Sequence, residues 1–163
     1  MLYVANVAEG MVDKPNPFVD AVRAIADIEG AKIVVISGQV EGEIAQLPSE
    51  ERKEYLAGMG LKESGLDRMI RAGYELLGLI TYLTAGKDEV RAWTIPKGTK
   101  APQAAGKIHS DFEKGFIRAE VFHFDDLMRL KTEQAVKAAG LLRSEGKDYV
   151  VKDGDIMLFR FNV

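Results

Sequence analysis

Two short apolar segments near the start of the chain limit most strongly what it can fold into. Residues 2–7 (LYVANV) and 31–36 (AKIVVI) are mostly apolar and do not alternate with polar residues, which is typical of strands buried on both faces of a sheet. Between them, residues 18–28 carry apolar side chains at helical spacing, and Gly30 follows as a stop signal. A strand, a helix and a strand with short connections form a right-handed parallel crossover. This part of the chain is therefore predicted to be α/β.

Two further helices are predicted after the second strand. The first begins around Pro48, with Ser49 as its N-cap and acidic residues in its first turn. The second begins near Ser64 and carries an apolar face of helical period as far as Leu77. Because an apolar helix face has to be buried, we expect it to pack against the two strands.

From residue 79 onward the sequence pattern changes to short strands. They are predicted at 80–85, 89–95, 116–124, 148–151 and 156–161. A turn at residues 86–88 joins the first two strands, and the tight turn Asp153-Gly154-Asp155 joins the last two. Helices are predicted at 101–112 and 125–139. A hairpin, a helix laid across it and further strands predict a β-grasp fold of the α+β class.

Charge is unevenly distributed along the chain, whose net charge is −3. Residues 1–75 contain 8 Lys/Arg and 13 Asp/Glu, whereas residues 76–163 contain 14 and 12. The basic excess lies in Lys87, Arg91, Lys97, Lys100, Lys107, Lys114 and Arg118. Such a stretch can form a phosphate-facing patch, and a solvated surface of mixed charge is the alternative. The candidates for nonspecific contacts to RNA phosphates are Arg91, Lys97, Lys100, Lys107 and Arg118.

The absence of cysteine excludes disulfides and thiolate metal sites and fits a reducing compartment. The first seven residues have no basic leader, and no apolar run approaches the roughly 20 residues that span a bilayer. We therefore expect a cytoplasmic protein with no membrane partner.

Polar residues follow both predicted strands of the first part. Asn6-Val7-Ala8-Glu9 comes directly after the first strand, and Ser37-Gly38 comes directly after the second. Ligands of doubly wound sheets bind at the carboxyl ends of strands. An Asn amide can donate to purine N7 and accept from an exocyclic amine, and a turn at Ser37-Gly38 can present backbone N–H groups to the same base. The alternative is that both strings are ordinary turns that end strands.

Neither histidine marks a catalytic or metal site in this sequence. His109-Ser110-Asp111 contains the residue types of a catalytic triad, but sequence neighbours rarely point at one another as that geometry requires. His123 lies near Asp125 and Asp126, yet two histidines without further spaced ligands are a weak metal signal. We expect helix termini at both places. Trp93, Phe116, Phe122 and Phe124 are expected mostly to fill a core, with base stacking as the alternative.

A longer string identifies a family. Residues 104–121 (AAGKIHSDFEKGFIRAEV) closely resemble the hallmark of TGS domains, which are small β-grasp modules, and residues 153–156 (DGDI) resemble their closing hairpin. Together with residues 84–86 (TAG), 89–95 (EVRAWTI) and the ending FNV, the chain resembles the C-terminal part of the YchF family, the Obg-like ATPases related to TRAFAC P-loop GTPases.

This resemblance implies two domains. Residues 1–78 look like the C-terminal remnant of a doubly wound, parallel nucleotide-binding domain, with two strands plus helices, and residues 79–163 look like its TGS domain. The implied base-binding residues are Asn6, Val7, Glu9, Ser37 and Gly38. Glu9 stands where typical GTPases have an Asp that pairs with guanine. Because Glu is one methylene longer, adenine is expected to be tolerated or preferred.

The resemblance also implies partners and cofactors. Full-length members use ATP or GTP with Mg²⁺ and associate with ribosomes, and TGS modules bind RNA, ribosomes or other ligands. No G-x-x-x-x-G-K-[ST] phosphate-binding loop occurs in this sequence, and phosphoryl transfer depends on that loop. We therefore expect no hydrolysis and no tight nucleotide binding by this chain alone. The alternative is a base-binding half that hydrolyses ATP once the P-loop part is supplied. A two-stranded sheet also leaves an open edge. We expect that edge either to be covered by residues 79–163 or to pair between two copies of the chain, which gives a homodimer.

Overall fold

The fold was examined in a computed structural model that describes residues 1–86 and 89–162. The chain divides into two compact units, Met1–Leu77 and the remainder from Gly78. No helix within the described residues is both long and apolar enough to cross a membrane.

The first unit is built on two parallel strands, β1 (Leu2–Asn6) and β2 (Lys32–Ile36), which pair in register from end to end. The connecting helix α1 (Pro17–Glu29) starts at Asn16, whose side chain accepts a hydrogen bond from the Phe18 N–H. It ends at Gly30, whose φ of 62° is left-handed. The predicted strand–helix–strand crossover and its glycine stop are confirmed.

Three helices complete the first unit: α2 (Gly38–Gln46), α3 (Ser49–Gly58) and α4 (Gly65–Leu76). The sequence analysis did not predict α2, which begins directly after β2. Ser49 is not an N-cap, because it is the first helical residue of α3 and the cap is Pro48. Ser64 does cap α4, and α4 packs on both strands as expected.

The second unit contains one mixed sheet of five strands. They are β3 (Leu79–Ala85), β4 (Val90–Pro96), β5 (Phe116–His123), β6 (Arg143–Glu145) and β7 (Asp155–Phe161). Their spatial order is β4-β3-β7-β5-β6, in which β3 pairs parallel with β7 and the other three pairings are antiparallel. The final strand therefore lies at the centre of the sheet.

One strand prediction in this unit was wrong, and one strand was missed. Residues 148–151 form no strand and contribute only an isolated bridge from Val150 to Lys100. The turn at 153–155 therefore precedes β7 without closing a hairpin. The short strand β6 was not predicted, because its charged sequence, Arg-Ser-Glu, shows no apolar alternation. The predicted turn at 86–88 lies partly outside the described residues.

Each predicted helix of the second unit is split in two. The pairs are α5 (Ala101–Ile108) with α6 (Ser110–Lys114), and α7 (Phe124–Leu130) with α8 (Glu133–Ala138). His109 interrupts the first pair with an extended backbone, φ −158°. Lys131, at φ 70°, and Thr132, whose hydroxyl caps α8, interrupt the second. Local side-chain bonds to backbone N–H groups compete with a continuous helix at both places.

Small residues bring α5 close to one face of the sheet. Ala101, Ala104 and Ala105 are fully buried there. The hydroxyl of the buried Tyr82 on β3 donates to the Ala104 carbonyl at 2.8 Å. The other face packs Phe122 and Ile156 against Val136 of α8, with Leu127 of α7 alongside.

The four aromatic residues divide as expected into mostly core positions. Phe116 and Phe122 are buried, and Trp93 is half-buried. Phe124 is 40 % exposed at the start of α7.

Replacing Gly115 by alanine should destabilise the second unit. The added methyl group would fall on the backbone carbonyl of Asn162, which is held in place because its N–H donates to the Gly115 carbonyl at 2.9 Å. We expect a loss of about 1–3 kcal/mol in the free energy of unfolding, measured by urea denaturation. Gly146→Ala is the matched control, because nothing lies within 4 Å of its new methyl group. Equal stability of the two variants would contradict this packing argument.

Candidate nucleotide-base site and basic surface

The carboxyl ends of β1 and β2 are tied together by two hydrogen bonds. The Oδ1 atom of Asn6 accepts from the Gly38 N–H at 2.8 Å. One residue further, the Val7 N–H donates to the Ile36 carbonyl at 2.8 Å. The structure thus places four of the five predicted base-binding residues, Asn6, Val7, Ser37 and Gly38, in one connected cluster.

Helix α2 begins inside this cluster. Ser37 is its N-cap and is 1 % exposed, but its side chain makes no cap bond. Within the described part of the chain, its Oγ atom has no hydrogen-bond partner. The Ser37 hydroxyl is closed off from solvent, so it is part of the packing at the start of α2 and is not exposed to a ligand. A larger residue than glycine would fit at position 38, because an added methyl group would lie 3.5 Å from Asn6 Oδ1, an ordinary contact distance.

Glu9, the fifth predicted residue, lies in the exposed turn after β1. Its carboxylate is close enough to act electrostatically on Tyr55, whose hydroxyl donates to Glu43. That hydrogen bond, followed by desolvation and the charges of Glu43 and Glu9, raises the pKa of Tyr55 to about 12. No hydrogen bond within the described residues ties the Glu9 side chain down, so its carboxylate faces solvent.

Sequence reasoning missed Glu41 as a residue that organises this unit. Its two carboxylate oxygens accept from the Gly65 and Leu66 N–H groups at 2.7 and 3.1 Å. A residue of α2 therefore caps α4, because acceptors at a helix N-terminus satisfy its free N–H groups. The capping role of Glu41 could have been predicted only after α2 had been recognised as a helix.

The five basic candidates lie on different faces of the second unit. Arg91 shares the α5 face with Trp93, and its guanidinium lies 4.2 Å from the centre of that ring. Arg118 is on the opposite face, where it contacts Glu120 at 3.3 Å and Ser144 at 3.2 Å. These two arginines do not form one continuous patch.

The three candidate lysines have different surroundings. Lys100 forms an ion pair with Asp148 at 2.8 Å, and this contact lowers the pKa of Asp148. Lys97 and Lys107 are exposed and have no ion-pair partner within residues 1–86 and 89–162. Lys97 and Lys107 are therefore the best placed to meet an external phosphate.

Both histidines cap helices, as expected. The Nδ1 atom of His109 accepts from the Asp111 N–H at 3.2 Å, and that of His123 accepts from the Asp125 N–H at 3.3 Å. His109 ends α5, as expected, but it acts mainly as the acceptor that starts α6. In the part of the chain that the structure describes, no three His, Cys, Asp or Glu side chains form a metal-binding group.

Comparison with known proteins places these features in a family. The family model YchF-GTPase_C, described as a protein of unknown function, matches residues 79–162. The chain belongs to the YchF family of Obg-like ATPases. In a solved structure of the YchF GTPase of Schizosaccharomyces pombe, the chain superposes with a TM-score of 0.84 and 40 % identity. That match covers 98 % of this chain and 43 % of the yeast chain.

Curated relatives in the YchF family extend well beyond this chain. The ribosome-binding ATPase YchF of Escherichia coli O157:H7 is 58 % identical over 162 residues, covering 99 % of this chain and 44 % of the relative. Obg-like ATPase 1 of Homo sapiens is 47 % identical over 165 residues, covering 99 % and 41 %. The chain therefore spans less than half the length of these relatives and matches their C-terminal part.

Removing the Asn6 side chain should release the start of α2. Asn6→Ala leaves the Gly38 N–H without its acceptor, whereas Asn6→Asp retains an oxygen there. We expect hydrogen exchange at Gly38 to accelerate about twofold to twelvefold in the alanine variant, the range given by a net hydrogen bond of roughly 0.5–1.5 kcal/mol. Exchange in the aspartate variant should stay slow. Unchanged exchange in Asn6→Ala would show that another contact holds the loop.

Proposed function

We propose that this chain acts as the C-terminal portion of a cytoplasmic, ribosome-associated, nucleotide-binding protein of the YchF type. Residues 1–78 would be the remnant of its nucleotide-binding domain, and residues 79–163 its TGS domain of β-grasp form. The ribosome is included because curated relatives from Escherichia coli O157:H7 and Bacillus subtilis carry the name ribosome-binding ATPase YchF. The crossover in the first unit and the helix-covered sheet in the second are compatible with this division.

The observation that carries the proposal is the bond between Asn6 and Gly38. Because Asn6 Oδ1 accepts from Gly38, its Nδ2 group is left to donate, and purine N7 is a suitable acceptor. The exocyclic amine of adenine then needs a different acceptor, and the exposed carboxylate of Glu9 can supply one. These contacts read a base and provide nothing for phosphates.

We expect the purified chain to show no ATP or GTP hydrolysis above background with Mg²⁺. The physical reason is that its sequence has no P-loop to cradle phosphates and position the metal. Phosphate release measured with and without protein tests this. A turnover that Asn6→Ala abolishes would contradict it, since that activity would depend on this chain's own base site.

A second candidate function rests on the words ATPase and GTPase in the names of relatives. In this case the chain is the base-binding half of an enzyme that hydrolyses ATP when a P-loop part is supplied. Adding the separately produced N-terminal part of a YchF relative distinguishes the two. Hydrolysis that appears only in the mixture, and is weakened by Asn6→Ala, would support the enzymatic function.

The second unit is proposed to contact RNA or the ribosome through nonspecific phosphate contacts. Lys97 and Lys107 are the strongest candidates because no carboxylate pairs with them in the described chain. Arg91, Lys100 and Arg118 already have carboxylate partners, so their contribution should be smaller. Surface ion pairs of this kind are weak and exchange readily.

Replacing Lys97 and Lys107 together by Gln should reduce the salt dependence of RNA binding. Each lost phosphate contact lowers the slope of log affinity against log salt by about 0.7–0.9, so we expect a decrease of about 1.4–1.8. Ribosomes or a generic RNA are titrated at several salt concentrations. The control is Lys53→Gln with Lys62→Gln, which removes the same charge from the first unit. Equal slopes in both double variants would assign Lys97 and Lys107 to the solvated surface.

A homodimer through a sheet edge is also proposed, and the structure limits which edge can serve. The Lys32 N–H and the Ile36 carbonyl of β2 form hydrogen bonds to residues of the β1 side. Because the backbone groups of successive strand residues point alternately to either side, the Val35 carbonyl points away from β1. Arg68 Nη2 donates to the Val35 carbonyl at 3.0 Å and thereby caps that edge. The outer edge of β1 has no such cap in the described residues, so β1 is the edge available for pairing.

A further inference from the structure

The imidazole ring of His123 joins two segments of the second unit that are far apart along the chain. Its Nδ1 atom accepts from the Asp125 N–H at 3.3 Å, at the start of α7. Its Nε2 atom lies 3.0 Å from the Asp153 carbonyl oxygen, in the turn before β7. A methyl group added to Gly154 would lie 3.0 Å from the same Nε2 atom, so the turn lies directly against the ring. The ring therefore links α7 to this turn.

These two contacts require a neutral ring. A carbonyl oxygen can only accept, so Nε2 carries a hydrogen and donates it to Asp153. A backbone N–H can only donate, so Nδ1 carries no hydrogen. A protonated histidine has an N–H at both nitrogens, and histidines take up that proton between about pH 8 and about pH 5. Protonation therefore removes the Nδ1 contact and leaves the Nε2 contact in place.

Charged groups surround His123 on each segment packed against it. They are Asp125 and Asp126 of α7, Arg143 of β6, Lys152 and Asp153 before β7, and Asp155 of β7. Asp126 and Arg143 pair with Arg129 at 2.6 Å and Glu145 at 3.3 Å, and the carboxylates of residues 153 and 155 accept backbone N–H groups. The Asp125 carboxylate is 3.5 Å from Nδ1 and has no other ion-pair partner in the described chain. It is the acceptor available to a protonated Nδ1.

We propose that His123 is a pH-dependent link between α7 and the turn before β7. When Nδ1 takes a proton from solvent, it stops accepting the Asp125 N–H and donates to the Asp125 carboxylate instead. The first turn of α7 then loses a capping bond. The bond from Nε2–H to the Asp153 carbonyl becomes charge-assisted and therefore stronger. The protonated ring thus releases the helix and binds the turn more tightly, independently of any nucleotide or RNA.

His109 provides a comparison within the same chain. Its Nδ1 atom accepts from the Asp111 N–H at 3.2 Å, and the Asp111 carboxylate lies 3.5 Å from that nitrogen. Its Nε2 atom has no hydrogen-bond partner within residues 1–86 and 89–162. Protonation of His109 should therefore weaken the cap of α6 without strengthening a contact to a carbonyl.

The test is NMR of the whole chain, labelled with ¹⁵N and ¹³C, between about pH 8 and about pH 5. At the alkaline end the ring nitrogens of His123 should show the Nε2–H tautomer. As the ring titrates, solvent exchange at the Asp125 amide, corrected for its intrinsic pH dependence, should become about twofold to twelvefold faster. The Asp153 carbonyl ¹³C signal should move with the same midpoint, in the direction of stronger hydrogen bonding. An Nδ1–H tautomer at the alkaline end, or unchanged exchange at Asp125 while the ring titrates, would overturn the proposal.

Two asparagine variants separate the proton on this ring from other titrations. Asparagine is a good N-cap whose oxygen accepts at every pH in this range. In His123→Asn we therefore expect slow exchange at Asp125 with no pH dependence beyond the intrinsic one. The matched control, His109→Asn, should abolish the change at Asp111 and leave the responses of Asp125 and Asp153 intact. If His123→Asn keeps the pH response at Asp125, nearby carboxylates cause it and the proposed link is wrong.

Discussion

The hydrogen bond from the Gly38 N–H to Asn6 Oδ1 is the contact on which the first unit's candidate site depends. It joins the end of β1 to the first residue of α2. Helix α2 then presents Glu41, whose carboxylate caps α4. One side-chain amide thus begins a chain of contacts that runs from a strand end through two helices. Because Asn6 uses its acceptor internally, only its Nδ2 donor remains available for the proposed contact with a base.

The second unit depends on a different constraint, the close approach of backbone segments. Three buried alanines let α5 lie on the sheet, and Tyr82 bonds to its backbone. At Gly115 the chain passes so close to Asn162 that no side chain fits. These requirements explain, in packing terms, why the string that carries the family resemblance is rich in alanine and glycine. They support the fold, so the resemblance by itself identifies the scaffold and not a binding residue.

Patterns of apolar residues were sufficient to predict the long elements. The crossover of the first unit and the strands β3, β4, β5 and β7 all have enough apolar residues to show their period. Helix α2 was missed because Ser37-Gly38 is typical of a turn, and the benefit of a helix start there comes from Asn6, 32 residues earlier. Strand β6 was missed because it has only three residues and is ordered by pairing with β5.

The sequence predicts some groups of neighbouring residues better than others. The reason is how far apart the members of each group lie along the chain. The base site consists of two contiguous strings, each directly after a recognisable strand, so topology alone brings them together. The surroundings of the buried Asp155 carboxylate come from separate segments, with Arg143 in β6 and with Tyr149 and Lys152 in the connection to β7. The hydrogen bond from the Tyr149 hydroxyl to Asp155 and the ion pair between Arg143 and Asp155 form only in the folded unit. No local pattern encodes that geometry, because each residue alone is ordinary for a helix start, a short strand or a turn.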